Sequence, residues 1–438
     1  MPHERATRAS VSPRRAVVIV DGVRTPFCKS WGVLNRVPAD ELCRITIAEA
    51  MARVELDPRL VDEVIIGNIA QPAESTTIAR VAALKAGVPR RVPGWAVNQN
   101  CGSGIQAIVS AFHRIESGAA DVIIAGGVES MSRIPFQLGQ AFTDDLMRFR
   151  RARTLPQRLA ALWKARLRDL RPVSALEVGL RDAICGLNMG ETAEILARRF
   201  HVTRQEQDAF ALESHRRAVA ARERLRQEIV PVYPPPRFQP VLDDVGPRED
   251  QSLEQLARLK PAFDARWGTV TAGNSCMLTD GAASLVIASE ERAREIGLPY
   301  LGRIRSYGFA GLDPTVMGLG PVYATAIALE RAGAVLRDVQ LIEINEAFAA
   351  QVLAVRQAFA SAEFAANELG LKTALGELKP EITNVNGGAI ALGHPVGCSG
   401  ARLTLTLLKE MSRRDLGLGL ASLCIGGGQG AALILERS

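Results

Sequence analysis

From Arg15 onward the chain alternates short, wholly apolar runs with longer segments whose apolar residues recur at helical spacing. AVVIVDG predicts a strand, ADELCRITIAEAMARV a helix, DEVIIGN a strand, TIARVAALKAGV a helix, WAVNQN a strand, GSGIQAIVSAFHRIESG a helix and DVIIAGG a strand. Strands apolar on both faces and joined by helices imply a mainly parallel sheet that is covered on both sides.

The C-terminal part repeats this grammar: LRDVQLIEINEA, a helix FAAQVLAVRQAF, a strand ITNVNGG, a helix GARLTLTLLKEM, a strand GLASLCIGG and a closing strand AALILE. VDEVIIGN ending at Asn68 matches DVQLIEIN ending at Asn345. Likewise SG at 103–104 followed by IIAGG matches SG at 399–400 followed by LCIGG. An internal duplication of this kind sets both groups of strand ends around one crevice. The expected division is an N-terminal half over 1–130, an inserted loop domain over 131–277 and a C-terminal half over 278–438. Within the insert, Thr203 and Glu206 have the spacing of a capping box, and PVYPPPRFQP predicts a Pro-rich turn. Residues 148–171 place Leu155, Leu159, Leu162, Trp163, Leu167 and Leu170 near helical spacing among Arg and Lys. Such a basic amphipathic helix either packs on its own domain or docks on a membrane surface or partner subunit.

With 438 residues, 47% of them hydrophobic, the chain can build more than one packed unit. No apolar run reaches the roughly 18 to 20 residues of a membrane helix. The basic leader MPHERATRASVSPRRA lacks an apolar core, so it is expected to be a disordered leader rather than a secretory signal, with a mitochondrial presequence left open. Seven scattered cysteines with no C-x-x-C spacing fit neither a disulfide framework nor a zinc knuckle and suit a cytoplasmic setting. The net charge of +6 is dispersed and only 5% of residues are aromatic, which suits an anionic small molecule better than nucleic acid.

Four polar or reactive positions fall at strand ends or glycine-rich turns: Cys101, Asn345, His394 and Cys424. Cys101 ends a strand and opens a helix, where the free N–H groups and the helix dipole are expected to lower a thiol pKa. His394 lies in LGHPVGCSG and could act as its base. Cys424, followed by Gly426, offers a second thiol beside backbone N–H groups able to form an oxyanion hole. A competing reading comes from Gly102, Gly104 and Ala107, which match the dinucleotide fingerprint G-x-G-x-x-A, with Glu129 placed like a ribose-binding carboxylate.

Taken in order, NQNCGSGIQA, GTVTAGNSCMLTDGAA, INEAFAAQ, NVNGGAIALGHPVGCSGAR and CIGGGQGAA resemble the thiolase family. The resemblance covers nearly the whole chain from Arg15 and implies a duplicated five-stranded α/β sandwich with an inserted loop domain. It implies Cys101 as the acylated nucleophile, His394 as its activator and Cys424 as the acid/base at the acetyl-CoA α-carbon. It further implies Asn345 as the holder of an oxyanion-binding water, and the N–H groups of Cys101 and Gly426 as a second oxyanion hole. Leu180, Met189, Phe263, Ala272, Cys276 and Phe348 would contact coenzyme A; Cys276 stands where many members carry Ser. The implied activity is thiolytic cleavage of 3-ketoacyl-CoA, or its reversal to acetoacetyl-CoA, with coenzyme A as substrate and no metal or other cofactor. A homodimer or homotetramer is implied, with a hydratase/dehydrogenase partner or a membrane surface at 148–171. The setting would be the cytoplasm, or the mitochondrial matrix in a eukaryote.

Overall fold

The computed structural model describes residues 15–164 and 172–437. The basic leader through residue 14 and the Leu167 and Leu170 positions of the amphipathic segment lie outside the described residues. Strands form where the sequence is β-branched or small on both faces: β1 (Val17–Arg24), β2 (Cys28–Lys29), β3 (Glu63–Gly67), β4 (Gly94–Val97) and β5 (Val122–Ser130) in the first part. A short hairpin, β6 (Phe136–Leu138) with β7 (Pro172–Ser174), opens the insert. There follow β8 (Thr279–Ser289), β9 (Gly302–Gly311), β10 (Leu341–Ile344), β11 (Leu418–Ile425) and β12 (Gln429–Glu436).

The main sheet runs β10-β11-β12-β9-β1-β8-β5-β3-β4, with β2 on the side of β8. Its two halves have the same grammar. Parallel β4, β3 and β5 are followed by antiparallel β8 and β1, while parallel β10 and β11 are followed by antiparallel β12 and β9. The seam is narrow, two paired positions between β1 and β9. β8, allotted by the sequence reading to the C-terminal half, pairs along its length with β1 and β5 and so completes the first half. ITNVNGG does not form the strand that its pattern predicts. Asn384 adopts φ +47°, and its side chain donates to Ile344 O at 2.9 Å and accepts from Ile344 N–H at 2.8 Å, taking the place of a fifth strand beside β10.

Two helices, Ser103–Glu116 and Ser399–Arg414, lie between the halves and share one apolar core with residues of β1, β5, β8, β11 and β12. Separate apolar clusters join the Ala39–Arg53 helix to the first half and the Gly320–Ala332 and Ala349–Ala360 helices to the second. The central helices cross without intervening side chains. A Cβ on Gly104 would stand 2.8 Å from the Ala401 nitrogen, and one on Gly400 would stand 2.5 Å from the Ile105 nitrogen. These are the glycines of the two SG pairs.

In the insert, capping boxes start the helices Met189–Arg199 (Asn188 with Glu191) and Arg204–Ala220 (Thr203 with Glu206). The single amphipathic helix expected over 148–171 is instead interrupted. One helix, Gln140–Arg151, stops before Ala152, and a second, Leu155–Lys164, follows with Leu155 and Leu159 exposed. The later part of the insert is tied to the core by Arg24, which is wholly buried. Its Nε donates to Glu228 at 2.5 Å and its Nη atoms donate to Asp244 at 2.6 and 2.8 Å. Glu228 also accepts from Thr406 on the second central helix at 3.0 Å. Removing one partner of such a cluster leaves buried carboxylates uncompensated, so Arg24→Met is expected to cost about 3–5 kcal/mol. A chemical denaturation curve reads this, and an unchanged midpoint would contradict it.

Candidate active site

The central helices bring the turns before them to the same place. Cys101 lies two residues ahead of the first helix, and His394 lies five residues ahead of the second. Asn100 holds the Cys101 turn with φ +48°, and its Nδ2 donates to Gly426 O at 2.9 Å, linking it to the turn between β11 and β12. The Cys101 thiol is half-buried, and both its own N–H and that of Gly426 hydrogen-bond to the sulfur. Burial nevertheless prevails over these donors and pushes the thiol up to about 11. The lowering expected from the helix mouth is therefore not realised in the resting site: the desolvation of a thiolate outweighs two N–H groups.

His394 is buried; its N–H donates to Met277 O at 2.9 Å, and Gly393 before it has φ +104° with its Cβ position filled by the Thr279 side chain. Nδ1 lies 2.5 Å from Ser399 Oγ. Ser399 Oγ donates to Pro395 O at 3.3 Å, which leaves that oxygen to accept from Nδ1–H and places the lone pair on Nε2. Asn345 Nδ2 faces Nε2 at 3.5 Å, and Asn345 Oδ1 is buried with no hydrogen-bond partner among the described residues. Burial, helped by the Arg402 charge, holds the imidazole down at about 4. The resting ring is a neutral base.

Cys424, near the end of β11, is buried, and burial together with the nearby Cys101 and Cys276 sulfurs pushes its thiol well above the usual range. Cys276 is pushed up to about 12 by burial and by Cys101, so three thiols share one electrostatic neighbourhood. Cys276 N–H donates to Ala347 O at 3.0 Å, aligning the segment ahead of β8 with the loop after Asn345. Met189, Phe263, Phe348 and Cys424 belong to one apolar cluster, with the rings of Phe263 and Phe348 edge to face at 5.9 Å. Ala272 is exposed in the turn ahead of Cys276. Leu180, Met189, Cys101 and Gly426 line a cavity of about 570 Å³.

The dinucleotide reading does not fit. Gly104 packs on the backbone of the second central helix. The Glu129 carboxylate accepts from the N–H groups of Ile69, Ala70 and Gly397 at 3.0 to 3.1 Å and from Asn68, so it is engaged within the fold. Two residues were missed. Ser399 sets the imidazole tautomer, and its signal was a hydroxyl five residues after His394 in a turn otherwise free of polar side chains. Glu346 accepts from Ser214 Oγ at 2.6 Å and from Asn384 Nδ2 at 2.8 Å; its signal was a carboxylate directly after Asn345 at the end of β10.

Fold and site define an α/β enzyme with two thiols and a neutral imidazole at the seam of a duplication. The thiolase N-terminal domain model matches residues 17–291 and the thiolase C-terminal domain model matches residues 298–437. The chain belongs to the thiolase family. It is 42% identical over 423 residues, 96% of each chain, to a 3-ketoacyl-CoA thiolase of Yersinia pestis. Among solved structures it resembles the Bacillus anthracis acetyl-CoA acetyltransferase (TM-score 0.85, 42% identity, 97% of this chain and 99% of that one). It also resembles human mitochondrial 3-ketoacyl-CoA thiolase in complex with CoA (TM-score 0.84, 36% identity, 97% and 98%).

A histidine held neutral in the fold and free to protonate when unfolded weakens the fold as pH drops below about 6.5, the loss growing until pH approaches the folded value of about 4. Relative to wild type, His394→Asn is therefore expected to gain stability as pH falls from 7 to 5, read from denaturation midpoints. A difference independent of pH would contradict a buried neutral imidazole.

Proposed function

We propose that this protein is a 3-ketoacyl-CoA thiolase that transfers the shortened acyl group to coenzyme A through a Cys101 thioester, as in fatty acid β-oxidation. The observation that carries the reading is Cys101 with the Gly426 N–H on its sulfur and a second buried thiol, Cys424, in its electrostatic neighbourhood, while His394, in the turn ahead of the second central helix, faces Asn345 at 3.5 Å. The similarity to the Yersinia pestis 3-ketoacyl-CoA thiolase supports it.

In the forward direction His394 Nε2 takes the Cys101 proton as Sγ bonds to C3 of the substrate, whose oxygen is met by the N–H groups of Cys101 and Gly426. The C2–C3 bond then breaks, and its electron pair passes to C2 and the CoA thioester as an enolate. Asn345, through a water on its free Oδ1, and the protonated His394 stabilise the enolate oxygen. Cys424 gives its proton to C2, acetyl-CoA leaves, and Cys424 is left as thiolate. A second CoA thiol surrenders its proton to Cys424 and attacks the thioester, and His394 returns its proton to Cys101. Two thiols are needed because one forms a covalent bond while the other moves a proton at carbon. Leu180, Met189, Phe263, Ala272, Cys276 and Phe348 are the proposed contacts to the pantetheine arm.

The likeness to the Bacillus anthracis acetyl-CoA acetyltransferase favours, as second reading, the same steps in reverse, with Cys424 removing a methyl proton of acetyl-CoA. A homodimer or homotetramer is proposed in the cytoplasm, or in the mitochondrial matrix of a eukaryote. The exposed Leu155 and Leu159, among Arg148, Arg150, Arg151 and Arg158, support docking of a hydratase/dehydrogenase subunit or a membrane at this part of the insert.

Cys101→Ala is expected to abolish formation of an acyl-enzyme, seen by intact-protein mass spectrometry after mixing with acyl-CoA, and to abolish thiolysis; thiolysis at the wild-type rate would sink the assignment. Cys424→Ala should still become acylated at Cys101 but lose solvent exchange of the acetyl-CoA methyl protons. Undiminished exchange, followed by NMR in deuterium oxide, would remove Cys424 from the scheme.

A further inference from the structure

We infer that Glu346 is a positioning residue that holds Asn345 and His394 at the spacing needed to receive an enolate oxygen; this deepens the thiolytic reading and rests on it. Glu346 follows Asn345 in the chain and is 1% exposed, yet no proposed step uses it. Its carboxylate meets three donors. Ser214 Oγ donates to Oε2 at 2.6 Å and Ile390 N–H donates to the same oxygen at 3.2 Å, while Asn384 Nδ2 donates to Oε1 at 2.8 Å. Ser214 Oγ accepts from Gly388 N–H at 3.1 Å and keeps its single proton for Glu346. Burial pushes the carboxyl up, and the donors oppose it by favouring the ionised form.

One arm of this brace reaches Asn345. Besides its bond to Glu346, Asn384 Nδ2 donates to Ile344 O at 2.9 Å, and Asn384 Oδ1 accepts from Ile344 N–H at 2.8 Å. A single amide thus clasps the residues on both sides of Asn345, whose own N–H donates to Ser422 O at 2.9 Å. The other arm reaches His394. A Cβ on Gly388 would collide with the Glu346 carboxyl, so the carboxylate packs on the backbone six residues ahead of the imidazole. The short helix Ala389–Leu392 begins there. Glu346 holds its Ile390 N–H, and the Leu392 and Gly393 N–H groups close onto Gly388 O and Ala389 O at 2.9 and 2.8 Å. His394 follows directly, with Nε2 3.5 Å from Asn345 Nδ2. Through Ser214 the brace also engages the insert: the same helix, Arg204–Ala220, carries Asp208, which accepts from Asn274 Nδ2 at 3.0 Å two residues ahead of Cys276. A buried charge adds little to stability by itself. A carboxylate with three fixed donors instead sets distances, and a misplacement of about 1 Å at a reacting centre can cost about a hundredfold in rate.

The test compares two rates on one substrate, acetyl-CoA, in the full chain. Acylation of Cys101 is followed by rapid quench and intact-protein mass spectrometry, and deuterium uptake at the acetyl-CoA methyl by NMR in deuterium oxide. Acylation builds its oxyanion at the Cys101 and Gly426 N–H groups, whereas methyl exchange needs the enolate at Asn345 and His394. Glu346→Gln keeps the shape but turns an NH2 toward either Asn384 Nδ2 or Ile390 N–H, so one arm loses its bond. Exchange is expected to fall by about ten- to hundredfold, at least about fivefold more than acylation, with KM for acetyl-CoA within about twofold of wild type. Ser214→Ala removes only a hydroxyl and decides the matter should Glu346→Gln not fold; it is expected to lower the ratio of exchange to acylation by about threefold or more. An unchanged ratio in Ser214→Ala or in folded Glu346→Gln, or a loss carried by KM, overturns the positioning role. Wild-type protein that neither becomes acylated nor exchanges the methyl protons defeats the functional reading beneath it.

Discussion

Everything at the site depends on one close approach, that of the central helices at Gly104 and Gly400. Each glycine faces the backbone of the other helix at a distance where a Cβ would collide, so the helices meet near their N-terminal ends. The turns that precede them carry Cys101 and His394. Because the sheet halves on either side repeat one topology, their strand ends converge on the same point and add Asn345 after β10 and Cys424 at the end of β11. The duplication thus shapes the proposed site: each half contributes one central helix, the first half supplies Cys101 ahead of its helix, and the second supplies His394 ahead of its helix, Asn345 after β10 and Cys424 near the end of β11.

Burial then decides the electrostatics. The resting site holds thiols pushed up and an imidazole pushed down, so it carries no ion pair before substrate binds. A thiolate–imidazolium pair would be desolvated there at a cost that two N–H groups do not offset. In the proposed mechanism, proton transfer is consequently coupled to bond formation at C3, where the thiolate charge would pass to an oxygen met by prearranged N–H donors. The Ser399 bond to Nδ1 matters for the same reason, since it keeps the Nε2 lone pair directed at the reaction rather than at the protein interior.

Much of this was legible in the chain. The alternation of apolar runs and helical periods marked β1, β3, β5, β10, β11 and β12 and both central helices, and the paired SG motifs marked the duplication. β8 and β9 were passed over because TDGAASLVIAS and GRIRSYGFAG mix small, polar and charged residues with no regular alternation, and only tertiary burial makes them strands. ITNVNGG makes a single parallel bridge to β10, Thr383 with Ile342, and goes no further as a strand because the Asn384 side chain supplies the next hydrogen bonds, to Ile344, that a strand backbone would give. The helix expected over 148–171 broke where Gln157 accepts from the N–H groups of Arg153 and Thr154 and starts a new helix, a local contest that hydrophobic spacing does not register. The thiol pKa was misjudged because sequence displays the helix mouth but not the depth at which the sulfur lies.

The most direct measurement of the central claim is the pre-steady-state rate of Cys101 acylation in Gly400→Ala, made on folded protein with wild-type circular dichroism. The added methyl has to push the central helices apart, because the atom it meets is the Ile105 backbone nitrogen rather than a movable side chain. If the helix crossing is what holds His394 against Cys101, acylation should slow by at least about a hundredfold, the lower range expected when a positioned base is lost. Acylation at the wild-type rate with the helices displaced would contradict the account.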